Sequence, residues 1–422
     1  MTHKPHTLAR GVAIVGAGMS KFGAFPGKAT RDLFVDAYQE MITSVDKGFD
    51  PKDIEALFIG NYSSDLFENQ GHTAPIMADW TGLAPRAATR IENACASGGT
   101  AIRQGILAIA SGLYDIVLVG GIEKMTDLAT DRVTDTLATA SDTLYETPAG
   151  FTFPGFYAAM ATAYMHRYDA TPESFMRVGL KNHENGALNE KAQFGATIRS
   201  IMDKKLAAAQ AKGKPLPGWA DEMAFLHDDR SNPVIAWPMR LFDCSPISDG
   251  AAALLLVSED LARQFTDTPI YITGSGQASD VALHDRGDYT RLCAAQLAAQ
   301  EAYRMSGLTP ADIQLAEVHD CFTIAEVIAT EDLGFFPAGH GFRAAEEGLT
   351  SRLGPKPINA SGGLKSKGHP VGASGTGQAV EIWKQLRGQA GTRQVNGSPR
   401  VGLTHNVGGT GQTAVVHIYE RR

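Results

Sequence analysis

The 422-residue sequence predicts a duplicated α/β fold with a long segment inserted between its two halves. Two similar apolar strands, Val12-Ala-Ile-Val-Gly-Ala-Gly18 and Ile270-Tyr-Ile-Thr-Gly-Ser-Gly276, each precede an Ala-rich amphipathic stretch. Matching phrases follow at Pro51-Lys-Asp-Ile and Pro310-Ala-Asp-Ile, and their offset of 259 residues nearly equals the 258 between the strands. Alternating strands and helices favour largely parallel sheets whose faces are covered by helices. The matching phrases occur twice in the same order, which indicates an internal duplication.

Each half is expected to begin with a buried strand that ends in a glycine turn, followed by a helix at 33–45 or 292–305. Later helices open at the Ala-Ser-Gly phrases and lead to Ile116-Val-Leu-Val-Gly-Gly121 and Val401-Gly-Leu-Thr-His405. The first half is expected to comprise 1–123 with 244–267, and the second 268–422. Residues 124–243, rich in Phe, Met, Tyr and His, form the predicted inserted loop domain. Its 203–238 stretch is expected to carry a Lys/Ala-rich helix.

The composition excludes several classes of protein. The 38 Lys+Arg against 46 Asp+Glu give a net charge of −8, unlike most nucleic-acid-binding proteins. No apolar run reaches the roughly 18 residues of a membrane span, and the first residues lack the pattern of a secretory signal. The four cysteines stand far apart without a CxxC pair, so we expect free thiols in the cytoplasm rather than a zinc site. Glycine is in excess, at 45 residues or about 11% against a usual ~7%, and its clusters predict turns and close backbone approaches.

Cys95 is the first candidate for chemistry. It stands in Asn93-Ala-Cys-Ala-Ser-Gly-Gly99, directly before a helical pattern, so we expect its sulfur near a helix N-terminus. Free N–H groups and the helix dipole favour a thiolate there. The pattern predicts an acyl-accepting nucleophile, with a buried structural thiol as the alternative. Cys244 and Cys293 have no comparable setting and are assigned to structure.

Three further phrases place titratable side chains at predicted strand ends and in glycine-rich loops. In Val318-His-Asp-Cys-Phe-Thr323, alternation puts His319 and Cys321 on the same side of the backbone, and Cys321 is a candidate general acid/base. His369, between a glycine and a proline, is a candidate base in a loop too rich in glycine to form a regular element. The glycines of Thr404-His-Asn-Val-Gly-Gly409 offer N–H groups to an oxyanion.

Together these phrases resemble the thiolase superfamily. The His-Asp-Cys-Phe phrase is similar to the sterol-carrier-protein-type branch. Within that branch, Gly120-Gly-Ile-Glu-Lys-Met-Thr-Asp127 and Leu283-His-Asp-Arg286 most resemble archaeal-type acetoacetyl-CoA thiolases, or acetyl-CoA acetyltransferases. The resemblance covers nearly the whole chain. It implies a thiolase-like α/β fold, with two βαβαβαββ halves in α/β/α/β/α layers and a loop domain that binds acyl-CoA and partners.

The resemblance also implies a role for each candidate residue. Cys95 would be the acylated nucleophile, His369 would activate it, and Cys321 would move the α-proton of the substrate. His319 would help to form one oxyanion hole, and the N–H groups of Cys95 and Gly408 would form the other. Four further residues would bind substrate: Phe322, Asn406, Ser374 and Lys365. For Lys365 and its neighbour Lys367, contact with CoA phosphates and simple solvation in a loop remain alternatives.

The reaction that the resemblance implies is the reversible Claisen condensation of two acetyl-CoA to acetoacetyl-CoA and CoA, through an acyl-cysteine intermediate. Coenzyme A thioesters would be the substrates, with no tightly bound cofactor and no metal. A homodimer or a larger oligomer is expected. Possible partners are a zinc-ribbon/OB-fold accessory protein and HMG-CoA synthase, with no nucleic acid and no membrane.

Three other readings remain open. A degradative 3-ketoacyl-CoA thiolase for an aromatic, branched or steroid-derived acyl group would use the same catalytic residues. Its pocket would then be lined by aromatic and apolar side chains of the insertion: Phe151, Phe153, Phe156, Tyr157 and Met160. A decarboxylating ketosynthase is less favoured, because it needs no second cysteine to remove a proton. An inactive scaffold subunit would have no need to keep the complete set of cysteines and histidines.

Overall fold

The computed structural model of the chain describes residues 7–422, which form alternating strands and helices. The described strands are β1 (Val12–Met19), β2 (Ala56–Gly60), β3 (Ala87–Ile91), β4 (Ile116–Glu123), β5 (Val234–Ala236), β6 (Met239–Arg240), β7 (Gly250–Ser258), β8 (Ile270–Ser279), β9 (Leu315–Glu317), β10 (Val401–Gly408) and β11 (Thr413–Arg421). The described helices are α1 (Thr30–Thr43), α2 (Ser64–Glu68), α3 (Thr73–Trp80), α4 (Ser97–Ala110), α5 (Thr130–Ala138), α6 (Phe153–Tyr168), α7 (Pro172–Gly186), α8 (Ile198–Ala211), α9 (Glu222–His227), α10 (Glu259–Phe265), α11 (Cys293–Ser306), α12 (Thr323–Asp332), α13 (Gly341–Glu346), α14 (Gly363–Lys367) and α15 (Ser374–Leu386). Each of these described helices is too short or too polar to cross a membrane.

Nine strands form one mixed sheet in the order β3-β2-β4-β7-β1-β8-β11-β10-β9. Counted outward from the junction between the halves, the strands of the first half stand in the order β1, β7, β4, β2 and β3. These are its first, fifth, fourth, second and third strands along the chain. The second half repeats this order with β8, β11, β10 and β9, and an isolated parallel bridge from Ile358 to Ala316 takes the place of the third strand. The halves join where β1 and β8 pair antiparallel. The predicted duplication is confirmed in the strand order of the sheet.

The helices form the layers that the resemblance implies. Helices α1 and α3 pack on one outer face of the first half, and α11 packs on the outer face of the second half. Helices α4 and α15 lie between the halves, because each contacts strands of both. One apolar cluster around α4 and α15 therefore joins strands from the two halves into a common core. The α/β/α/β/α arrangement is confirmed.

The glycines at the first strand of each half do not form the expected turns. Strand β1 continues through Gly18 to Met19, and β8 continues through Gly276 to Ser279. A Cβ on Gly18 would collide with the Ala37 carbonyl of α1, and one on Gly276 would collide with the Ala298 carbonyl of α11. The expectation of turns was wrong. These glycines allow a helix backbone to lie directly against the strand, at equivalent positions of the two halves.

Replacing Gly276 with alanine should lower the free energy of unfolding by about 2–3 kcal/mol, because the added methyl group meets rigid helix backbone. Chemical denaturation followed by circular dichroism measures this change. Gly71→Ala is the matched control, since a Cβ there meets nothing within 4 Å and should change stability by less than about 0.5 kcal/mol. Equal midpoints for the two variants would contradict this account of the strand glycines.

Between the halves, residues 124–243 hold α5 to α9 and the β5–β6 hairpin. The Lys/Ala-rich helix expected in the 203–238 stretch is the C-terminal part of α8. Helices α7, α8 and α9 share a small separate core whose members include Met176, Met202 and Phe225. This stretch is thus a folded part of the insertion.

Candidate active site

The two central helices bring distant parts of the chain together at their N-termini. Cys95 lies in the short turn Ala94–Ala96 directly before α4, and His369 precedes the equivalent turn Val371–Ala373 before α15. A Cβ on Gly98 would lie 2.8 Å from the Gly372 carbonyl oxygen. Glycine at this crossing therefore allows the two helix N-termini, and with them Cys95 and His369, to approach each other closely.

A cavity of about 190 Å³ opens at this junction. Its walls contain four of the predicted residues, namely Cys95, His319, Cys321 and His369. The sulfur of Cys95 and one ring nitrogen from each of His319 and His369 lie within 4.8 Å of one another. All four side chains are buried. The structure thus brings together four residues that were predicted to be catalytic from separate motifs.

The hydrogen bonds of Asn406 determine the tautomer of His319. The side-chain oxygen Oδ1 of Asn406 accepts a hydrogen bond from the backbone N–H of Gly99 at 3.1 Å, which fixes the orientation of the Asn406 amide. Its Nδ2 therefore donates to the carbonyl oxygen of Cys95 at 3.0 Å and to Nδ1 of His319 at 3.2 Å. Since Nδ1 accepts, the proton of neutral His319 is on Nε2. His319 is accordingly a hydrogen-bond donor towards substrate.

The Ser374 hydroxyl lies 2.6 Å from Nδ1 of His369 and 3.0 Å from the Pro370 carbonyl, which also accepts from the backbone N–H of Ala373. A neutral His369 that donates from Nδ1 to this hydroxyl carries its lone pair on Nε2. The two imidazoles are perpendicular, with ring centroids 5.1 Å apart. One of them can donate a hydrogen bond and the other can accept a proton.

Both imidazoles are neutral at physiological pH. Burial lowers the pKa of His369 to about 3. Burial, followed by the proximity of His369 and His405, lowers the pKa of His319 well below its usual value. Neutrality is what a general base and a hydrogen-bond donor of this kind require.

The helix N-terminus was expected to favour a thiolate at Cys95, but burial outweighs that effect. Burial and the nearby Glu123 carboxylate raise the pKa of the Cys95 thiol to about 12. The N–H groups of Gly409 and of Cys95 itself favour the thiolate, but they do not offset the loss of hydration. Cys95 therefore rests as a thiol and must give up its proton during the reaction.

This protonation state predicts how fast Cys95 is alkylated at different pH. The rate with iodoacetamide should rise about tenfold per pH unit from pH 7 to 10, because the thiolate fraction grows throughout that range. Mass spectrometry of the Cys95 peptide measures the rate, in a Cys293→Ala background that lacks the exposed thiol. A plateau already reached near pH 7 would instead show a preformed thiolate–imidazolium pair.

Cys321 lines the same cavity in an aromatic setting. Burial raises the pKa of its thiol well above the usual value, while the neighbouring Tyr157 hydroxyl acts to lower it. Tyr157 stacks on Phe322 with ring centroids 4.6 Å apart. Cys321 therefore rests as a thiol, ready to donate a proton before it accepts one.

Asp320 points away from the cavity and holds two catalytic segments together. Its carboxylate accepts from the backbone N–H of Leu364 at 2.6 Å and from Asn182 Nδ2 at 2.7 Å. The glycine-rich segment before His369 was expected to lack regular structure, but it contains the helix α14. That expectation was wrong because Asp320 satisfies free N–H groups at the start of this short helix.

The remaining predicted residues fall into different places. Phe322 lines the cavity, whereas Asn406 and Ser374 lie behind the two histidines with their polar atoms already engaged. The amide beside the Cys95 sulfur belongs to Gly409, one residue beyond the predicted Gly408. Lys365 does not line this cavity.

The cavity wall contains one cysteine that sequence reasoning missed and one aromatic residue that it proposed. Cys244, assigned to structure from the sequence, lines the cavity, and its thiol donates to the Arg240 carbonyl at 3.3 Å. Among the aromatic residues considered for the pocket, Phe153 lines it directly. Phe151 is 40% exposed, and Phe156 and Met160 belong to the core instead.

A metal ion at this site would be held by Cys95, His319 and His369, because thiolate and imidazole are typical zinc ligands. The network around them fits acyl transfer better. A nucleophilic thiol, an accepting imidazole and a donating imidazole, all buried around one small cavity, define a cysteine-dependent acyltransferase.

The sequence relatives agree with this class. The profiles "Thiolase, N-terminal domain" and "Thiolase C-terminal domain-like" match residues 12–260 and 275–421. An acetyl-CoA acetyltransferase of Methanothermobacter thermautotrophicus is 46% identical over 415 residues, covering 98% of this chain and 100% of its own length. One of Methanocaldococcus jannaschii is 40% identical over 418 residues, covering 97% and 98%. Sterol carrier protein 2 of Bos taurus is 31% identical, covering 98% of this chain and 73% of its own. The chain belongs to the thiolase family.

Solved structures support the same fold. Human mitochondrial 3-ketoacyl-CoA thiolase in complex with CoA superposes with a TM-score of 0.69 at 17% identity, over 99% of this chain and 100% of that one. The structure titled "Ltp2-ChsH2(DUF35) aldolase" superposes with a TM-score of 0.78 at 24% identity, over 99% of each chain. At these identities the likeness concerns the fold alone.

Proposed function

We propose that this thiolase catalyses the reversible Claisen condensation of two acetyl-CoA to acetoacetyl-CoA and CoA. The observation that carries the proposal is the meeting of two buried thiols, Cys95 and Cys321, with His319 and His369 in one small cavity. A second thiol is what condensation needs beyond acyl transfer, because a proton must leave the α-carbon. The two archaeal relatives named acetyl-CoA acetyltransferase support the same reaction.

In the first step, His369 Nε2 takes the proton of Cys95 as its sulfur attacks the acetyl thioester. The N–H groups of Gly409 and Cys95 lie beside this sulfur and are suited to stabilise the oxyanion. The carbon–sulfur bond to CoA breaks, and Cys321, which rests as a thiol, protonates the departing CoA sulfur. Acetyl-Cys95, a Cys321 thiolate and protonated His369 remain.

In the second step, the Cys321 thiolate removes the α-proton of another acetyl-CoA. The Nε2–H of His319 stabilises the enolate oxygen, since Asn406 holds its ring with that proton towards substrate. The new carbon–carbon bond forms at the acetyl group as the Cys95 sulfur leaves, and His369 returns the proton to that sulfur. Both cysteines end as thiols and both histidines as neutral rings, so the cycle closes.

The size of the cavity favours a short acyl group over the bulkier substrates of degradative thiolases. Its volume is about 190 Å³, and Phe153, Leu137 and Met125 occupy its walls. These three residues come from the 124–243 segment, which supports its proposed role as the loop domain that binds acyl-CoA between the halves 1–123 with 244–267 and 268–422. Coenzyme A acts as substrate and leaving group in this proposal.

The assay that tests the function is thiolysis of acetoacetyl-CoA, followed by loss of its enolate absorbance when CoA is added. A parallel panel with aromatic and branched 3-oxoacyl-CoA tests chain preference. Preference for acetoacetyl-CoA supports the proposal, and preference for a bulky thioester would replace it with degradation. Absence of thiolysis for all of them would favour a scaffold subunit.

We further propose a cytoplasmic homodimer or larger assembly that accepts a zinc-ribbon/OB-fold accessory protein linking it to HMG-CoA synthase. Support for an accessory partner comes from the solved neighbour whose title joins two components. Light scattering of the pure protein tests the oligomer, and co-expression with candidate partners tests the assembly. A monomer that co-purifies with neither partner would contradict this part of the proposal.

A further inference from the structure

A second cavity of about 530 Å³ adjoins the catalytic one. The two share a wall formed by Cys244, Ser245 and Pro246. Aromatic and aliphatic side chains, including Phe194 and Phe242, make up much of the lining of the second cavity. Its one cationic side chain is Lys365, which belongs to α14 and is 1% exposed.

The ammonium group of Lys365 has few partners. It lies 5.6 Å from the ring centroid of Phe194 and 5.8 Å from that of Phe242. Within residues 7–422, its hydrogen-bond partner is Nε2 of His183 at 3.4 Å. The ring of His183 donates from Nδ1 to the Ala196 carbonyl at 3.1 Å, so Nε2 accepts from the ammonium. A single long contact leaves two of the three N–H donors of Lys365 without an acceptor.

The nearby carboxylates are engaged elsewhere. Asp243 accepts from the Thr323 hydroxyl and from the Arg240 backbone N–H, each at 2.9 Å. Asp320 is taken up by the start of α14 and by Asn182. In the described part of the chain, no carboxylate lies within 4.0 Å of the Lys365 ammonium. A buried ammonium without an anion is costly, and an anionic ligand in the cavity would offset that cost.

We propose that this second cavity binds a carboxylate carried on a short apolar stem, with Lys365 donating hydrogen bonds to the carboxylate. One cation matches a monoanion better than a phosphate dianion, which would bring excess negative charge into an apolar site. The aromatic and aliphatic lining accommodates the stem. Burial lowers the pKa of Lys365 to about 8, and a bound anion would reverse that effect.

The test must distinguish two sources of the carboxylate. It arrives either as a free carboxylic acid or as the far end of a dicarboxylic acyl chain whose thioester lies at Cys95. The second source extends the proposed thiolase activity to ω-carboxyacyl thioesters. The first is independent of that activity.

Calorimetric titration with hexanoate tests the cavity without turnover. Hexanoate should bind the wild type, and Lys365→Met should weaken binding by about 10- to 100-fold, because charge-assisted hydrogen bonds are lost. Lys205→Met is the matched control: it makes the same substitution on exposed α8 and should bind hexanoate and cleave acetoacetyl-CoA as the wild type does. Gly195→Leu narrows the cavity from a position where a Cβ meets no atom within 4 Å, and should also weaken binding.

Competitive thiolysis identifies the source. Each protein receives a mixture of a 3-oxoacyl-CoA that ends in a carboxylate and the methyl ester of the same compound. The ratio of kcat/KM for the acid to kcat/KM for the ester is then compared between the wild type and Lys365→Met. Loss of a preference for the acid in the variant supports delivery on the thioester, whereas loss of hexanoate binding with an unchanged ratio supports a free acid. The proposal is overturned when the wild type neither binds hexanoate nor prefers the acid over its methyl ester. It is also overturned when Lys365→Met leaves both the hexanoate binding and this preference unchanged. Thiolysis of acetoacetyl-CoA by the wild type separately tests the proposed function.

Discussion

Cys95→Ala should abolish acetylation of the protein by acetyl-CoA and lower kcat for acetoacetyl-CoA thiolysis by at least about 10⁴-fold. The reason is that the covalent intermediate has no other place to form. His369 can accept a proton, but within residues 7–422 only the Cys95 sulfur has ring nitrogens of both His369 and His319 within 4.8 Å. Cys321 and Cys244 also face the cavity, yet neither belongs to this cluster.

Intact-protein and peptide mass spectrometry after incubation with acetyl-CoA measures the effect. The wild type should carry one acetyl group on the Cys95 peptide, and the variant none. Cys293→Ala is the control, because it removes an exposed thiol at the start of α11 and should acetylate like the wild type. An acetyl group on the Cys95→Ala protein would reject Cys95 as the nucleophile.

Cys321→Ala should separate the two steps of the reaction. Its Cys95 should still become acetylated, because the base His369 and the N–H groups of Gly409 and Cys95 remain in place. Acetylation should be slower than in the wild type, because CoA must then leave as a thiolate without the proton from Cys321. Condensation should fall by about 10²–10⁴-fold, since no other group is assigned to remove the α-proton. Acetyl-enzyme should then accumulate in the presence of acetyl-CoA.

Exchange of labelled CoA into acetyl-CoA follows the first step alone, while formation of acetoacetyl-CoA follows both. The expected result is slowed but measurable exchange and a much larger loss of condensation. Cys244→Ala is a matched control within the same cavity, because its thiol is held by the Arg240 carbonyl and should be dispensable. Normal condensation by Cys321→Ala, or its equal loss in Cys244→Ala, would reject the acid/base role of Cys321.

Much of the fold could be predicted from the sequence because it depends on local patterns that occur twice. The Pro51 and Pro310 phrases both form a short turn before a strand, Pro51–Asp53 before β2 and Pro310–Asp312 before β9. Helices α1 and α11 lie where the amphipathic stretches predicted them. The resemblance to thiolases, the fold class and the acyltransferase activity are confirmed by the strand order and by the relatives.

Errors arose where a local pattern has two physical explanations. A glycine at the end of an apolar run fits either a turn or a close helix, and only the packing of α1 and α11 distinguishes them. A cysteine before a helix is exposed to the dipole, which favours the thiolate, and to burial, which opposes it. At Cys95 burial prevails, and burial depends on segments from all parts of the chain.

The sequence by itself determined which chemical groups are present: a thiol before a helix, a second thiol beside a histidine, and a histidine in a glycine-rich segment. Only the tertiary structure decided what each group does. Asn406 contacts the Cys95 carbonyl across 311 residues and sets the tautomer of His319, while the Ser374 hydroxyl contacts Nδ1 of His369. Lys365, one possible phosphate ligand by sequence, lies in a separate apolar cavity. The physical reason is that proton positions and pKa values depend on hydrogen bonds and on loss of hydration, and both are created by contacts between distant residues.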